Sequence, residues 1–127
     1  MKLFILAAIA VAAVVHLLPL TGVLGADWLN KLYGRSFDDP NLLVLMRHRA
    51  VLFGLIGVFL LAALWMPAWR LPAAAMAVAS MAAYIAITGL HQPINAELKR
   101  VALVDWGALA LLLPALVLLV LRPELRQ

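Results

Sequence analysis

The chain contains no cysteine. Disulfides, thiolate metal sites and thiol nucleophiles are thereby excluded, while the redox compartment stays open. Charge is scarce as well: 13% of the residues are Asp, Glu, Lys or Arg, where a soluble domain carries about a quarter. A Gly-rich phosphate loop and an alternating strand and helix pattern are both missing, which removes the usual nucleotide-binding folds. No internal repeat is evident beyond the alternation of apolar spans.

What the chain does hold is grease. Hydrophobic residues make up 67% of it and the mean hydropathy is +1.06, the composition of an integral membrane protein. At 127 residues it forms one compact unit, with no room for a soluble domain beside several spans. The net charge is +4 and the pI about 10.1. The bases sit at helix ends, where lipid phosphates are nearer partners than nucleic acid, so no nucleic-acid function follows.

The expected fold class is all-α, a four-transmembrane-helix bundle with a short interfacial helix between helices 1 and 2. Met1-Lys2 and the apolar run after it have the outline of a secretory signal, with a weak small-residue site at Val23-Leu24-Gly25. Three further spans make it the first membrane helix instead, at about 3–20, roughly 27 Å long and ended by Pro19 and Gly22. Asp27 is placed to cap a short helix at about 28–33 that Gly34 stops, and its Trp28, Leu29, Leu32 and Tyr33 fall on one side, as in a helix lying at a membrane interface. Asp38 or Asp39 caps the second span, about 40–66, with Pro40 at its first position. The third span covers about 71–91 and the fourth about 101–121, where Pro114 is expected to kink it.

Alternating spans send His16, Arg47, His48, Arg49, His91, Asn95 and Asp105 to one membrane face. The other face receives Lys2, Arg70, Arg122 and Arg126, read as ordinary terminal and loop cations. His16 and Asp105 each lie about four residues inside a span, a depth at which an imidazole or a carboxylate turns toward the bundle or a wet cavity. Arg47, Ala50, Gly54, Gly57 and Leu61 share one helical face, so Arg47 stands over a groove of small residues that a helix or a ligand can fill. Ser80, Tyr84, Thr88 and His91 form a polar stripe on the third span.

Each of these has two readings. Arg47 and Arg49 either anchor to lipid phosphate or point inward to Asp105 or a bound anion. Asp105 is either half of an ion pair with one of them or a functional carboxylate. Ser80, Tyr84 and Thr88 serve as interhelical hydrogen-bonding glue or as pocket lining. The ligand-binding candidates are Arg47, His48, Arg49, Asp105, His16, His91 and Tyr84. No metal site is expected, since the paired arginines repel a cation and no His-x-x-x-His spacing occurs, and no motif names a cofactor.

Three stretches carry a family resemblance: His16-Leu-Leu-Pro-Leu-Thr-Gly-Val-Leu-Gly-Ala, Leu32-Tyr-Gly, and Pro40-Asn-Leu-Leu-Val-Leu-Met-Arg-His-Arg-Ala-Val-Leu-Phe-Gly. The chain resembles a family of short four-helix proteins of the bacterial inner membrane, of the broad DoxX-like kind, whose members often carry the label phosphopantetheine adenylyltransferase. The resemblance implies the four-helix membrane fold and no established activity. The label finds no support in the residues, because the histidines stand in His16-Leu-Leu-Pro, His48-Arg-Ala-Val and His91-Gln-Pro-Ile and none forms a His-x-Gly-His motif.

The leading expectation is the binding of a lipid-like or quinone-like amphiphile by the one-sided Arg, His and Asp layer. The alternatives are an accessory or assembly subunit that docks on itself or another membrane protein, a small proton-coupled transporter using Asp105, and a membrane enzyme acting on an amphiphile. Lys and Arg are divided six to four between the faces, and four to four without Arg47 and Arg49, so the positive-inside rule does not orient the chain. The Met-Lys start favours cytoplasmic termini, with the polar layer periplasmic.

Overall fold

A computed structural model describes every residue from Met1 to Gln127. The protein is all-α, with helices α1 (Lys2–Leu17), α2 (Ala26–Tyr33), α3 (Pro40–Trp65), α4 (Arg70–Leu90) and α5 (Ala96–Leu121). Three 3-10 stretches, Leu18–Leu24, Pro67–Trp69 and Pro123–Arg126, continue or join them. Four segments, Lys2–Leu24, Pro40–Trp65, Pro67–Leu90 and Ala96–Leu121, are long and apolar enough to cross a membrane.

Local signals explain most of the boundaries. Asp39 accepts a hydrogen bond from the Asn41 amide at 2.9 Å and Pro40 follows it, a capped start for α3. Gly34 adopts φ 64°, the left-handed conformation that ends α2. Other boundaries depart from expectation. α2 begins at Ala26 after Gly25, so Asp27 lies in its first turn, where its charge suits the helix dipole, instead of capping it. α5 begins at Ala96, five residues before the expected 101, because Asn95 caps it by accepting from the Leu98 amide at 2.9 Å. Its charged first turn, with Glu97, Lys99 and Arg100, precedes the apolar stretch and need not enter hydrocarbon. Pro114 sits inside α5, which runs on unbroken to Leu121.

α1 packs against α3 and α5, α4 packs chiefly against α5, and the seam between α3 and α4 is sparser. The core is built from small residues, Ala8, Ala12, Ala63, Ala77 and Ala115 among them, filled in by Ile5, Ile9, Leu60, Met81 and Leu112. Without a hydrophobic drive between helices in lipid, close approach of backbones is what such residues supply. Large apolar side chains such as Leu55, Val58, Leu103 and Trp106 point outward, as suits a bundle whose solvent is hydrocarbon.

The groove of small residues on α3 is filled by the end of the first span. A Cβ on Gly57 would lie 2.7 Å from Leu17 Cγ, and one on Gly54 would lie 2.6 Å from Leu20 Cδ1. No room for a ligand is left there.

At the opposite end Arg70 corrects the reading of it as a loop cation. It is 4% exposed, and its Nε, Nη2 and Nη1 donate to the carbonyls of Ala63, Leu64 and Leu125 at 3.3, 3.4 and 3.2 Å. Two of those carbonyls belong to the last turn of α3, where no intrahelical donor remains. Arg126 treats α5 in the same way, donating from Nη2 to the Val120 carbonyl at 3.0 Å.

Candidate functional site

α2 is the short helix expected between the first two spans. Its apolar side faces the bundle: Leu29 and Tyr33 are buried, together with Phe37 just beyond, against Leu43, Met46, Leu98 and Val101. Leu29 and Tyr33 of the aromatic-plus-leucine face pack on the protein, while Trp28 stays exposed. Three hydrogen bonds fasten this cover. Arg47 Nε donates to the Val23 carbonyl at 2.9 Å, Arg49 Nη1 to the Tyr33 hydroxyl at 2.7 Å, and Asn95 Nδ2 to the Tyr33 carbonyl at 2.7 Å.

Beneath it lies a partly open cavity of about 200 Å³, bounded by α1, α2, α3, α4 and α5. Its polar lining comprises His16, Tyr33, Arg49, Tyr84 and Asp105, with Lys31, Glu97 and Arg100 also contributing; Val15, Leu18, Pro19, Phe53 and Val104 supply apolar wall. Four of the residues singled out in the sequence, His16, Arg49, Tyr84 and Asp105, thus come together from four different helices. The other three stand outside the cavity. Arg47 holds the connection after α1, His48 is exposed, and His91 is exposed with its Nδ1 2.9 Å from the Ile87 carbonyl at the end of α4.

Arg49 is the centre of the arrangement. Its guanidinium carbon is 4.6 Å from the Phe53 ring centroid, 5.3 Å from that of Tyr33 and 5.8 Å from that of Tyr84. Three ring faces compensate the cation for lost water, each such contact being worth about 0.5–2 kcal/mol depending on desolvation. Only one of its N–H groups is used within the chain, on Tyr33. The remaining donors are available to a bound molecule.

Asp105 is 7% exposed, yet it forms no ion pair with Arg47 or Arg49 and accepts no hydrogen bond from the chain. The expected ion pair is therefore not made; Arg47 points away to Val23 and Arg49 is held among the aromatic rings. His16 is 1% exposed, with Nδ1 2.9 Å from the Ala12 carbonyl and its ring beside Phe53. A carbonyl only accepts, so Nδ1 carries the proton and, in the neutral imidazole, Nε2 is left as an acceptor. Nε2 has no partner in the chain. The polar stripe on α4 divides its duties: Thr88 bonds its own helix at the Tyr84 and Ile85 carbonyls, whereas the Tyr84 hydroxyl crosses to the Leu98 carbonyl at 3.3 Å. No three His, Asp or Glu side chains converge as a metal would require.

A second recess, about 410 Å³ and mostly apolar, opens at the sparse seam between α3 and α4. It shares Tyr33, Arg49 and Tyr84 with the first cavity and adds Leu42, Met46 and Ile87. Those three shared side chains lie between a chamber that holds His16 and Asp105 and one that is almost wholly apolar.

Sequence reasoning missed Phe53 and Tyr33 as parts of the site. Phe53 was detectable, being four residues after Arg49 on the same helical face; Tyr33 was not, since nothing local says which way α2 turns. No family model matches the chain, and neither does any curated protein or solved structure.

Proposed function

We propose that the protein is a bacterial inner-membrane binding protein for a lipid-like or quinone-like amphiphile. In this reading the polar head enters the cavity at Arg49, Asp105, His16 and Tyr84 while the tail lies in the apolar recess between α3 and α4. The observation that carries it is the joining of the two chambers at Tyr33, Arg49 and Tyr84, one holding the titratable side chains His16, Arg49 and Asp105 and the other almost wholly apolar. A molecule with a polar head and a greasy tail is what such a pair of volumes accommodates. The DoxX-like resemblance is compatible with this proposal and adds no activity to it.

The test separates Arg49 from its neighbours. Protein extracted in a mild detergent should carry an amphiphile visible by native mass spectrometry. Arg49→Leu should lose about tenfold or more of that occupancy, whereas the Arg47→Leu, His48→Leu double variant should keep it, with unchanged helicity and elution in both. Equal ligand content in the wild type and in Arg49→Leu would reject the proposal.

The termini are proposed to be cytoplasmic and the cavity periplasmic. Because the chain has no native thiol, a single introduced cysteine is an unambiguous reporter. A membrane-impermeant maleimide should label Ser36→Cys in intact spheroplasts and Gln127→Cys only after lysis. The opposite pattern would turn the cavity to the cytoplasm.

A further inference from the structure

Which head group fits depends on what the cavity leaves unsatisfied, and this step rests on the amphiphile reading above. Two acceptors line it: His16 Nε2, buried and without a partner because Nδ1 is committed to Ala12, and the carboxylate of Asp105, a residue 7% exposed, for which the chain supplies no hydrogen-bond donor. Facing them is Arg49, with N–H groups that make no bond in the chain beyond the one to Tyr33. A bound head must therefore donate to one set and accept from the other.

A purely anionic or purely cationic head without hydroxyls does only half of this. A phosphodiester anion or a phosphate monoester dianion accepts but does not donate through its phosphoryl oxygens, so it would satisfy Arg49 while leaving His16 Nε2 without a donor, and it would meet the Asp105 charge. An ammonium head donates but does not accept, so it would leave Arg49 unpaired and place a second cation beside it. A hydroxyl both donates and accepts. We infer that the cavity selects an amphiphile with a neutral, hydroxyl-bearing head, whose O–H groups donate to Asp105 and His16 and whose oxygens accept from Arg49.

Two sources present that chemistry, the glycerol hydroxyl of a neutral glyceride and the phenolic hydroxyls of a quinol. The protein in mild detergent is offered a diacylglycerol with the phosphatidic acid of identical chains, and separately a short-chain benzoquinol with its dimethyl ether, and bound mass is read by native mass spectrometry. At least one hydroxyl compound should bind about tenfold or more better than its blocked or phosphorylated counterpart; which of the two does so identifies the source. Asp105→Asn keeps the shape and an acceptor oxygen but removes the charge, and should narrow any discrimination against phosphatidic acid about fivefold or more. Phosphatidic acid and the ether binding as well as the hydroxyl compounds would overturn the inference and leave the amphiphile reading standing. Binding of none of the four would overturn both.

Discussion

Arg70→Met should destabilise the purified protein by about 3 kcal/mol, read as the shift in reversible SDS unfolding followed by circular dichroism. A cation at a tight turn between two membrane helices would ordinarily snorkel to water and contribute little. Arg70 instead lies almost wholly inside the protein and joins three chain segments: the end of α3 through Ala63 and Leu64, the start of α4 on which it sits, and the C-terminal turn through Leu125. Its bonds are long, 3.2 to 3.4 Å, which places each at the weaker end of the range of about 1.5–3 kcal/mol for charged hydrogen bonds. Methionine fills the volume but leaves the carbonyls unpaired. Arg70→Lys should recover less than half of the loss, because one ammonium cannot reproduce the planar fork that reaches three acceptors. A shift below about 0.5 kcal/mol in Arg70→Met would show that the carbonyls find other donors and that Arg70 is the loop cation it resembles in sequence.

The contrast between Arg70 and Arg49 marks where sequence reasoning runs out. Apolar length and the caps at Asp39 and Gly34 made the four spans and the short helix readable, since those signals act within a few residues. Membership of one membrane face was equally readable, because alternation of spans decides it. Direction around a helix was not. Arg47 and Arg49 lie about 200° apart at 100° per residue, and the glycines below Arg47 made its face the obvious inward one. That face is inward, but it is occupied by Leu17 and Leu20 of the first span, while Arg49 turns to the cavity beside Phe53. α2 posed the same ambiguity: its sequence shows one apolar face, and only packing shows that Leu29 and Tyr33 of that face are buried on the bundle. The charges of Arg70 and Asp105 were visible, but their partners are far away in sequence or absent. Long-range carbonyls such as Leu125 for Arg70 leave no local trace.

Gly57→Leu should cost about 3 kcal/mol in the same unfolding measurement and, under the proposed binding function, should also lower the amphiphile that co-purifies with the protein. At Gly57 a Cβ would stand 2.7 and 2.8 Å from the Leu17 Cγ and Cδ2 and 3.2 Å from the Leu17 backbone nitrogen. A leucine tip can rotate away, but the backbone of α1 cannot retreat without sliding the helix, and an added side chain there forces that slide. At Gly54 the neighbouring atoms all belong to the Leu20 side chain, the nearest at 2.6 Å. Gly54→Ala can therefore be absorbed by a rotamer change, at about 1 kcal/mol. Gly107 has nothing within 4 Å of its would-be Cβ, so Gly107→Leu should stay within about 0.5 kcal/mol of the wild type. The link to function is His16, the residue immediately before Leu17, which is held against Phe53 of α3 by this close approach. Pushing α1 off α3 moves the imidazole away from its place in the cavity wall, so ligand content should fall together with stability in Gly57→Leu and remain unchanged in Gly107→Leu. If the two leucine variants unfold alike and retain ligand alike, then the glycine seam between α1 and α3 does not set the position of His16, and the cavity owes its shape to the cover formed by α2.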